Sequence, residues 1–354
     1  MAADALEEGD MRLNADQGSG RRAATRADVP ARLRSGAGRI AALALLAGLG
    51  AACAEGGADE GRVGSGGGIP AEERAAPDFR ADTAFALLER QVSFGPRVPG
   101  TAGHAAQLEW MIAYLRVRAD TVVLQPFTHT GPEGERLEMT NVFARFQPER
   151  PDRVLLLAHW DTRPTADSEP TPERRAMPIP GANDGASGTA VLLELANVLS
   201  SHSPPIGVDL LFVDGEDYAP DHMYLGATHF ARTRPPAYEP FYGILVDMVA
   251  DRTPLFPQEG YSRRYAPEVV DRVWRMAERL GYGHLFPATP GMPIKDDHVP
   301  LNEEGGIRTI NIIDFDYGPG NAYWHTLDDT IENVGPEGLE AVGTVLAELI
   351  YRGG

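Results

Sequence analysis

The chain has 354 residues, of which 43% are hydrophobic and 23% are charged, so it is long enough for one large domain or two small ones with a buried core. Its formal net charge of −19 at pH 7 repels the phosphates of nucleic acid and disfavours contact with an anionic membrane. Cys53 is the only cysteine, which excludes an internal disulfide. We therefore expect a globular protein that does not bind nucleic acid.

The first predicted element is a secretory signal segment over residues 1–53. Arginines at 32, 34 and 39 precede an apolar run at residues 40–52 that ends in small residues. This run is shorter than the roughly 20 residues that a transmembrane helix needs. The stretch before the arginines is long for such a signal, which is consistent with a true start at Met11 or later.

Cys53 directly follows the small residues, as in a bacterial lipoprotein cleavage site. The match is imperfect, because Leu49 stands one position before the preferred place for leucine. We favour an exported lipoprotein of the cell envelope, periplasmic or attached to the outer membrane, over a plainly secreted or a cytoplasmic chain. Membrane contact is then expected only through the lipid on Cys53. Residues 54–78 are rich in Gly, Ala and Glu and are predicted to be a flexible linker.

From residue 79 the apolar pattern becomes periodic and predicts one domain over 79–354. Asp82 is a candidate N-cap of a first helix with Phe85 and Leu88 on its apolar face. Further helices are predicted around 108–115 and at 189–199, 267–280 and 336–351, and strands at 121–127, 141–146, 154–158, 208–213, 243–249 and 309–313. Because helices alternate with nearly continuous apolar strands, the sequence predicts an α/β fold. We expect a single domain with a mostly parallel central sheet flanked by helices on both faces.

Acidic and histidine side chains follow several of these strands, where such sheets bind their ligands. The residues in question are His159, Asp161, Asp184, Glu216, Asp217, Asp247 and His325. Carboxylates crowded together repel one another, and a divalent cation removes that cost. Mixed histidine and carboxylate ligands suit zinc, and three protein ligands with one open position are typical of a catalytic site. Asp161 is placed to orient the imidazole of His159.

Each residue alone also has an ordinary structural interpretation. Asp184 can cap a helix, Asp247 can cap a strand or form a salt bridge, and His325 can be a surface histidine. Residues 214–217 can form a solvated acidic turn. All of these interpretations would have to hold together, each after a strand, and so we favour the metal site.

The order of these residues resembles a known superfamily, that of the co-catalytic zinc aminopeptidases and the animal-type zinc glutaminyl cyclases (glutaminyl-peptide cyclotransferases). The resemblance covers roughly residues 80–350. In the peptidases it implies one zinc on His159 and Asp247 and another on Asp217 and His325, with Asp184 bridging them. Glu216 is then the base. The chain has Asp217 where the family has a second glutamate, which leaves the roles of Glu216 and Asp217 open.

Two segments resemble the cyclases more than the peptidases. Residues 295–300, KDDHVP, match the cyclase Asp-Asp-His-x-Pro segment, and residues 324–326, WHT, place Trp324 before the metal histidine. The resemblance implies a single zinc on Asp184, Asp217 and His325, and a substrate pocket lined by Trp324 and Ile294. Trp324 as plain core packing and Asp296 as a loop cap remain the alternatives.

The resemblance thus implies an enzyme that converts the N-terminal glutamine of a peptide or protein to pyroglutamate and releases ammonia. Zinc acts as the Lewis acid, Glu216 moves protons, and Asp296 with Asp247 forms a carboxylate network. The alternative is a dinuclear zinc aminopeptidase with its second metal on His159 and Asp247. A non-catalytic binding protein of the same fold is a third hypothesis, and absence of bound zinc would favour it.

Overall fold

The structure, a computed structural model, describes residues 75–354. The predicted signal segment at residues 1–53 and nearly all of the predicted linker lie outside the described residues, so both stay predictions. Within the described part of the chain, no helix is long and apolar enough to cross a bilayer.

The described chain contains eight strands and nine α-helices. The strands are β1 (Thr121–Thr130), β2 (Arg136–Phe146), β3 (Arg153–His159), β4 (Gly207–Val213), β5 (Asp217–Ala219), β6 (His222–Met223), β7 (Gly243–Asp247) and β8 (Thr309–Ile313). The helices are α1 (Ala81–Val92), α2 (Ala102–Arg116), α3 (Pro172–Arg175), α4 (Ala186–Ser201), α5 (Leu225–Thr233), α6 (Gly260–Tyr265), α7 (Pro267–Arg279), α8 (His298–Glu303) and α9 (Pro336–Tyr351). A short 3-10 helix (Ile331–Asn333) precedes α9.

Six strands form the central sheet in the order β1-β2-β4-β3-β7-β8. Strands β4, β3, β7 and β8 are parallel, whereas β1 and β2 pair antiparallel at one edge. Strands β5 and β6 form a separate small hairpin. The prediction of a mostly parallel sheet in an α/β domain is confirmed. It holds because buried parallel strands are apolar on both faces and are easily recognised in sequence.

Helices cover both faces of the sheet, as predicted. Because side chains alternate along a strand, Leu156 and Ala158 of β3 join a large core with α1, α4, α7 and α9. Leu155 and Leu157 of the same strand point the other way, into a smaller core with Phe230 of α5 and with α8. The strand ends that carry the polar residues are therefore held between two packed layers.

Two local predictions differ from the structure. Asp82 does not cap α1, because Arg80 holds that position and Asp82 lies in the first turn. There its carboxylate accepts hydrogen bonds from Arg80 and from the amide of Thr83, near the positive end of the helix. Strand β2 begins five residues before the predicted start at 141, since its first residues alternate between exposed and buried and pair with the end of β1.

Candidate metal-binding and catalytic site

His159 and Asp247 are the last residues of two adjacent parallel strands, β3 and β7. His159 Nε2 lies 3.1 Å from Asp247 Oδ1 and 3.2 Å from Asp184 Oδ1. All three side chains are buried. Burial by itself lowers the pKa of His159, but the surrounding carboxylates outweigh it and raise that pKa well above the ordinary 6.5. Strand register thus brings these groups together at the carboxyl edge of the sheet.

A group of three potential ligands lies beside them. Single ligand atoms of Asp184, Asp217 and His325 all lie within 4.8 Å of one another. His325 Nε2 is 3.3 Å from Asp217 Oδ2 and 3.6 Å from Asp184 Oδ2. The Oδ2 of Asp217 is buried and accepts no well-aligned hydrogen bond among residues 75–354, although His325 Nε2 lies beside it. Two carboxylates and one imidazole are a donor set that suits zinc.

A second group with metal-binding geometry contains His159, Asp184 and Glu216, whose ligand atoms also lie within 4.8 Å of one another. Asp184 belongs to both groups, which is the arrangement that a bridging carboxylate would have. The sequence analysis paired His159 with Asp247 instead, and the 3.1 Å contact between them places Asp247 at the same site. Glu216 Oε2 is 3.9 Å from His159 Nδ1.

Asp161 supports both sides of the site. Its Oδ1 accepts a hydrogen bond of 3.1 Å from the amide of Glu216, and its Oδ2 accepts one of 3.3 Å from the amide of Asp217. The same Oδ1 lies 3.6 Å from His159 Nδ1. The structure therefore places Asp161 next to His159, as expected, and also ties it to the turn after β4, which the sequence did not indicate.

The loop that carries Asp184 is fixed at two points. Asp329, buried after His325, accepts hydrogen bonds from the amides of Asn183 (2.7 Å) and Asp184 (3.2 Å) and from the hydroxyl of Tyr317 (3.0 Å). Gly185 is the N-cap residue of α4 and has a φ of 94°, and a Cβ there would lie 2.4 Å from the carbonyl oxygen of Asp161. Only glycine meets both demands without strain.

Besides Asp329, the sequence analysis missed two residues that support the site. Arg163 donates a short hydrogen bond through Nη1 to Asp217 Oδ1, and its Nε lies 3.0 Å from Asp167 Oδ1. Asp167 Oδ1 in turn lies 3.3 Å from His325 Nδ1 and orients that ring. Both residues lie in the loop between β3 and α3, where no periodic pattern indicates a contact. The one feature of the sequence that could have indicated them is the four-residue spacing of Arg163 and Asp167, a short distance after His159.

The carboxyl groups around the site are tuned by burial. Burial and the carboxylate of Asp217 raise the pKa of Glu216 well above its ordinary value. Burial and the carboxylate of Asp247 raise the pKa of Asp296 to about 7. Asp296 Oδ2 also accepts a hydrogen bond of 2.6 Å from Asn311 Nδ2. The site therefore contains carboxyl groups able to hold a proton near neutral pH.

A cavity of about 680 Å³ opens onto these groups. Its wall contains the acidic and histidine residues already described and a set of larger side chains, Tyr224, Met248, Ile294, Phe315 and Trp324. Trp324 stacks on His325 with ring centres 3.7 Å apart, and Phe315 packs against Trp324 at 5.2 Å. The structure thus brings Trp324 and Ile294 to the same cavity as the metal-binding group, where the sequence analysis placed them.

Backbone strain is concentrated around this cavity. Five non-glycine residues of the described chain have positive φ, and Tyr224 (59°), Met248 (50°) and His325 (55°) all line it. Left-handed backbone costs such residues about 1–3 kcal/mol each and is held in place only by the surrounding fold. Strain of this kind clusters at functional sites, which agrees with the location of the polar groups.

Fold and site together are those of an α/β protein with a candidate metal site at the carboxyl edge of its sheet. Comparison with known proteins agrees: residues 141–350 match the profile of peptidase family M28. A Zn-dependent exopeptidase from Parabacteroides distasonis is 40% identical with a TM-score of 0.75, over 78% of this chain and 99% of that chain. The glutaminyl cyclase of Tannerella forsythia gives the same identity, TM-score and coverage. A glutaminyl-peptide cyclotransferase-like protein of Bos taurus is 27% identical over 71% of this chain and 70% of its own length.

The chain belongs to peptidase family M28, because the matched segment exceeds half of the chain and the similar structures are covered almost completely. Its relatives include both glutaminyl cyclases and zinc exopeptidases. The predicted superfamily is therefore confirmed, while the narrower animal-type assignment stays a prediction.

Proposed function

We propose that this protein is a glutaminyl-peptide cyclotransferase that converts the N-terminal glutamine of peptides or proteins to pyroglutamate. The observation that carries the proposal is the buried Asp296 carboxyl group in the wall of the cavity that Trp324 and Phe315 also line. An aromatic wall suits the methylenes of a glutamine side chain, and an additional protonatable carboxyl group suits the departure of ammonia. The likeness to solved glutaminyl cyclases of Tannerella forsythia and Bacteroides thetaiotaomicron supports it.

In this reaction the α-amine of glutamine forms a bond to its own side-chain amide carbon, and the bond from that carbon to the amide nitrogen breaks. One proton leaves the attacking amine and one joins the departing nitrogen, which becomes ammonia. Glu216 is the residue that we propose moves this proton, because its buried carboxylate lines the cavity and lies 3.9 Å from His159 Nδ1. Asp296 and Asp247 form a carboxylate network that shares a proton with Glu216.

We propose that Asp184, Asp217 and His325 hold one zinc ion. When bound, zinc supplies Lewis-acid polarisation of the substrate carbonyl. Arg163 and Asp167 position two of these ligands through direct contacts. Trp324 and Ile294 confine the glutamine side chain of the substrate, so that its amide carbon is held close to the substrate's own α-amine. Holding that conformer is a large part of the catalysis in an intramolecular reaction.

A dinuclear zinc aminopeptidase is the second candidate function. The observation that favours it is that His159 Nε2 lies 3.1 Å from Asp247 Oδ1 and 3.2 Å from Asp184 Oδ1, so that these three residues would hold a second ion and leave Glu216 free as the base. In that case Glu216 activates water, and the first residue of the peptide is released as a free amino acid.

One incubation separates the two functions. The zinc-loaded protein is given a peptide that begins with glutamine, and ammonia and peptide mass are followed together. Loss of one ammonia from an otherwise intact peptide is expected. Glu216→Gln should lower the rate by about 10²–10⁴-fold while zinc content stays the same. Release of free glutamine and a shortened peptide would establish the aminopeptidase instead, and two zinc ions per chain would then be expected.

We also propose that the protein is exported to the cell envelope and anchored by a lipid on Cys53. The support is the basic stretch, the apolar run and the small residues before Cys53. A Cys53→Ala variant should lose labelling by a radioactive fatty acid and leave the membrane fraction. Equal labelling of the variant and the wild type would contradict the anchor.

A further inference from the structure

Two histidines meet where the small hairpin of β5 and β6 contacts the edge of the central sheet. His129 lies near the end of the edge strand β1, and His222 is the first residue of β6. His129 Nε2 lies 2.6 Å from His222 Nδ1, and the two rings meet edge to face with their centres 5.0 Å apart. Neither residue lines the candidate active-site cavity, and the proposed reaction makes no use of the pair.

The facing nitrogens of this pair are suitable metal ligands. Both side chains are only half-buried, so solvent reaches them. Burial lowers the pKa of His129 below the ordinary 6.5, and the neighbouring His222 lowers it further, so the ring of His129 is neutral at neutral pH. Neutral imidazole is the commonest metal ligand in proteins. At most one proton lies between the two nitrogens, and a metal ion can replace it.

Acidic residues close to the pair favour a cation there. The carboxylate of Glu135 accepts hydrogen bonds from the hydroxyl of Tyr218 (3.0 Å) and from the amide of Glu133 (2.9 Å). A backbone hydrogen bond and the hydroxyl of Tyr218 hold the pKa of Glu135 below its ordinary value, and His222 lowers it further. Asp221, next to His222 in the turn of the hairpin, is exposed. The resulting negative potential attracts positively charged ions.

A zinc ion would fit between the two rings after a small adjustment. Zinc binds imidazole nitrogen at about 2.0–2.1 Å, so tetrahedral coordination places two such nitrogens about 3.4 Å apart. The observed separation of 2.6 Å would have to grow by about 0.8 Å. Rotation of two half-exposed side chains supplies a movement of this size without disturbing the strands.

We propose that His129 and His222 form a second binding site for zinc or a similar divalent transition metal ion, with Glu135 and water as the remaining ligands. This site is separate from the candidate active site and does not depend on the proposed reaction. The hairpin begins at Asp217 and leads into Tyr224, and both residues line the cavity. An ion held by both histidines therefore ties the edge strand to the segment that presents Asp217 and Tyr224 to the active site.

Counting bound zinc by equilibrium dialysis tests this site. Zinc alone is added in increasing excess to the full-length wild type and to His129→Gln and His222→Gln. The wild type is expected to hold one zinc ion more than either variant, whatever number the active site holds. Each variant should weaken this additional ion by at least about 10–100-fold, since even residues that only orient a metal ligand have effects of that size.

His284→Gln is the matched control. His284 is exposed, and its ring nitrogen hydrogen-bonds to the carbonyl oxygen of Gly281 at 3.2 Å. This variant should keep the additional ion. Thermal unfolding gives a second measurement that is independent of activity. Filling the additional site should raise the melting temperature of the wild type and of His284→Gln by about 2–4 °C and leave that of His129→Gln unchanged.

Equal zinc contents in the wild type and in both variants would overturn the site, and so would loss of the additional ion in His284→Gln. The chemical function is judged separately, by ammonia release at a zinc concentration that fills only the active site. There His129→Gln should be as active as the wild type. Loss of the additional ion in a protein that releases free glutamine would retain the histidine site and refute the cyclase.

Discussion

Asp329 provides the sharpest test of how the metal-binding group is held together. It is fully buried, and its carboxylate binds the amides of Asn183 and Asp184 and the hydroxyl of Tyr317. Asp329→Ala would leave these three donors without their acceptor. An unsatisfied buried donor costs about 1–3 kcal/mol, so the loss of three acceptor contacts should lower the free energy of unfolding by about 3–9 kcal/mol.

Two milder variants give a graded series. Asp329→Asn keeps one acceptor oxygen but turns an NH₂ group toward the amide of Asp184, so a loss of about 1–3 kcal/mol is expected. Tyr317→Phe removes only one hydrogen bond, for a loss of about 1 kcal/mol. Because the bond to the Asp184 amide orients a proposed ligand, zinc affinity should also fall by about 10–100-fold in Asp329→Ala.

Urea unfolding of the zinc-loaded proteins gives the stabilities, and competition with a chelator gives the zinc affinities. The reasoning is refuted if Asp329→Ala unfolds within 1 kcal/mol of the wild type and binds zinc equally well. An inverted order, with Tyr317→Phe the most damaged, would also show that the carboxylate is not the centre of this network.

Three further predictions concern the pocket, the pH dependence and the packing. Trp324→Ala should raise KM for a glutamine peptide by about 10–100-fold in steady-state kinetics, and Trp324→Phe should restore part of the loss. An unchanged KM in Trp324→Ala would show that the ring does not contact the substrate. Burial raises the pKa of Asp314 from 3.8 to about 7, so the folded chain keeps a proton that the unfolded chain loses, and wild-type stability declines as pH rises between these values. Asp314→Asn should therefore gain on the order of 4 kcal/mol relative to wild type between about pH 4 and about pH 8, whereas a pH-independent difference in urea unfolding would contradict this. Gly188→Ala should cost about 2–4 kcal/mol, because its Cβ would lie 2.0 Å from the carbonyl oxygen of Val246, whereas Gly335→Ala meets no atom closer than 3.9 Å and should leave the melting temperature unchanged.

Much of the fold could be predicted from sequence because the parallel strands are buried on both faces. Strands β3, β4 and β8 read as short apolar runs, and the polar residue after each run marks the edge of the sheet. His159 and Asp247 could be found in this way. The edge strand β2 was predicted too short, because its exposed half alternates and carries a weaker apolar signal.

The residues that support the site could not be identified in the same way. Arg163, Asp167 and Asp329 act through contacts across long stretches of chain, and charged loop residues of this kind have no local pattern. Only the fold shows which of the many acidic residues meet. The prediction that Asp82 caps α1 was wrong for a related reason, because the sequence around a helix start does not show which residue is the N-cap.

The left-handed residues around the cavity set a limit on how far this protein can be stabilised. Substituting glycine or asparagine for Met248 would relieve backbone strain, so a search for heat-resistant variants should favour such changes. His325 is another of these left-handed residues, and its backbone conformation directs its ring at the carboxylates of Asp184 and Asp217. Thermostability and turnover are therefore in competition at the left-handed residues around the cavity. Variants selected only for survival at high temperature are expected to change these residues and to lose activity as a result.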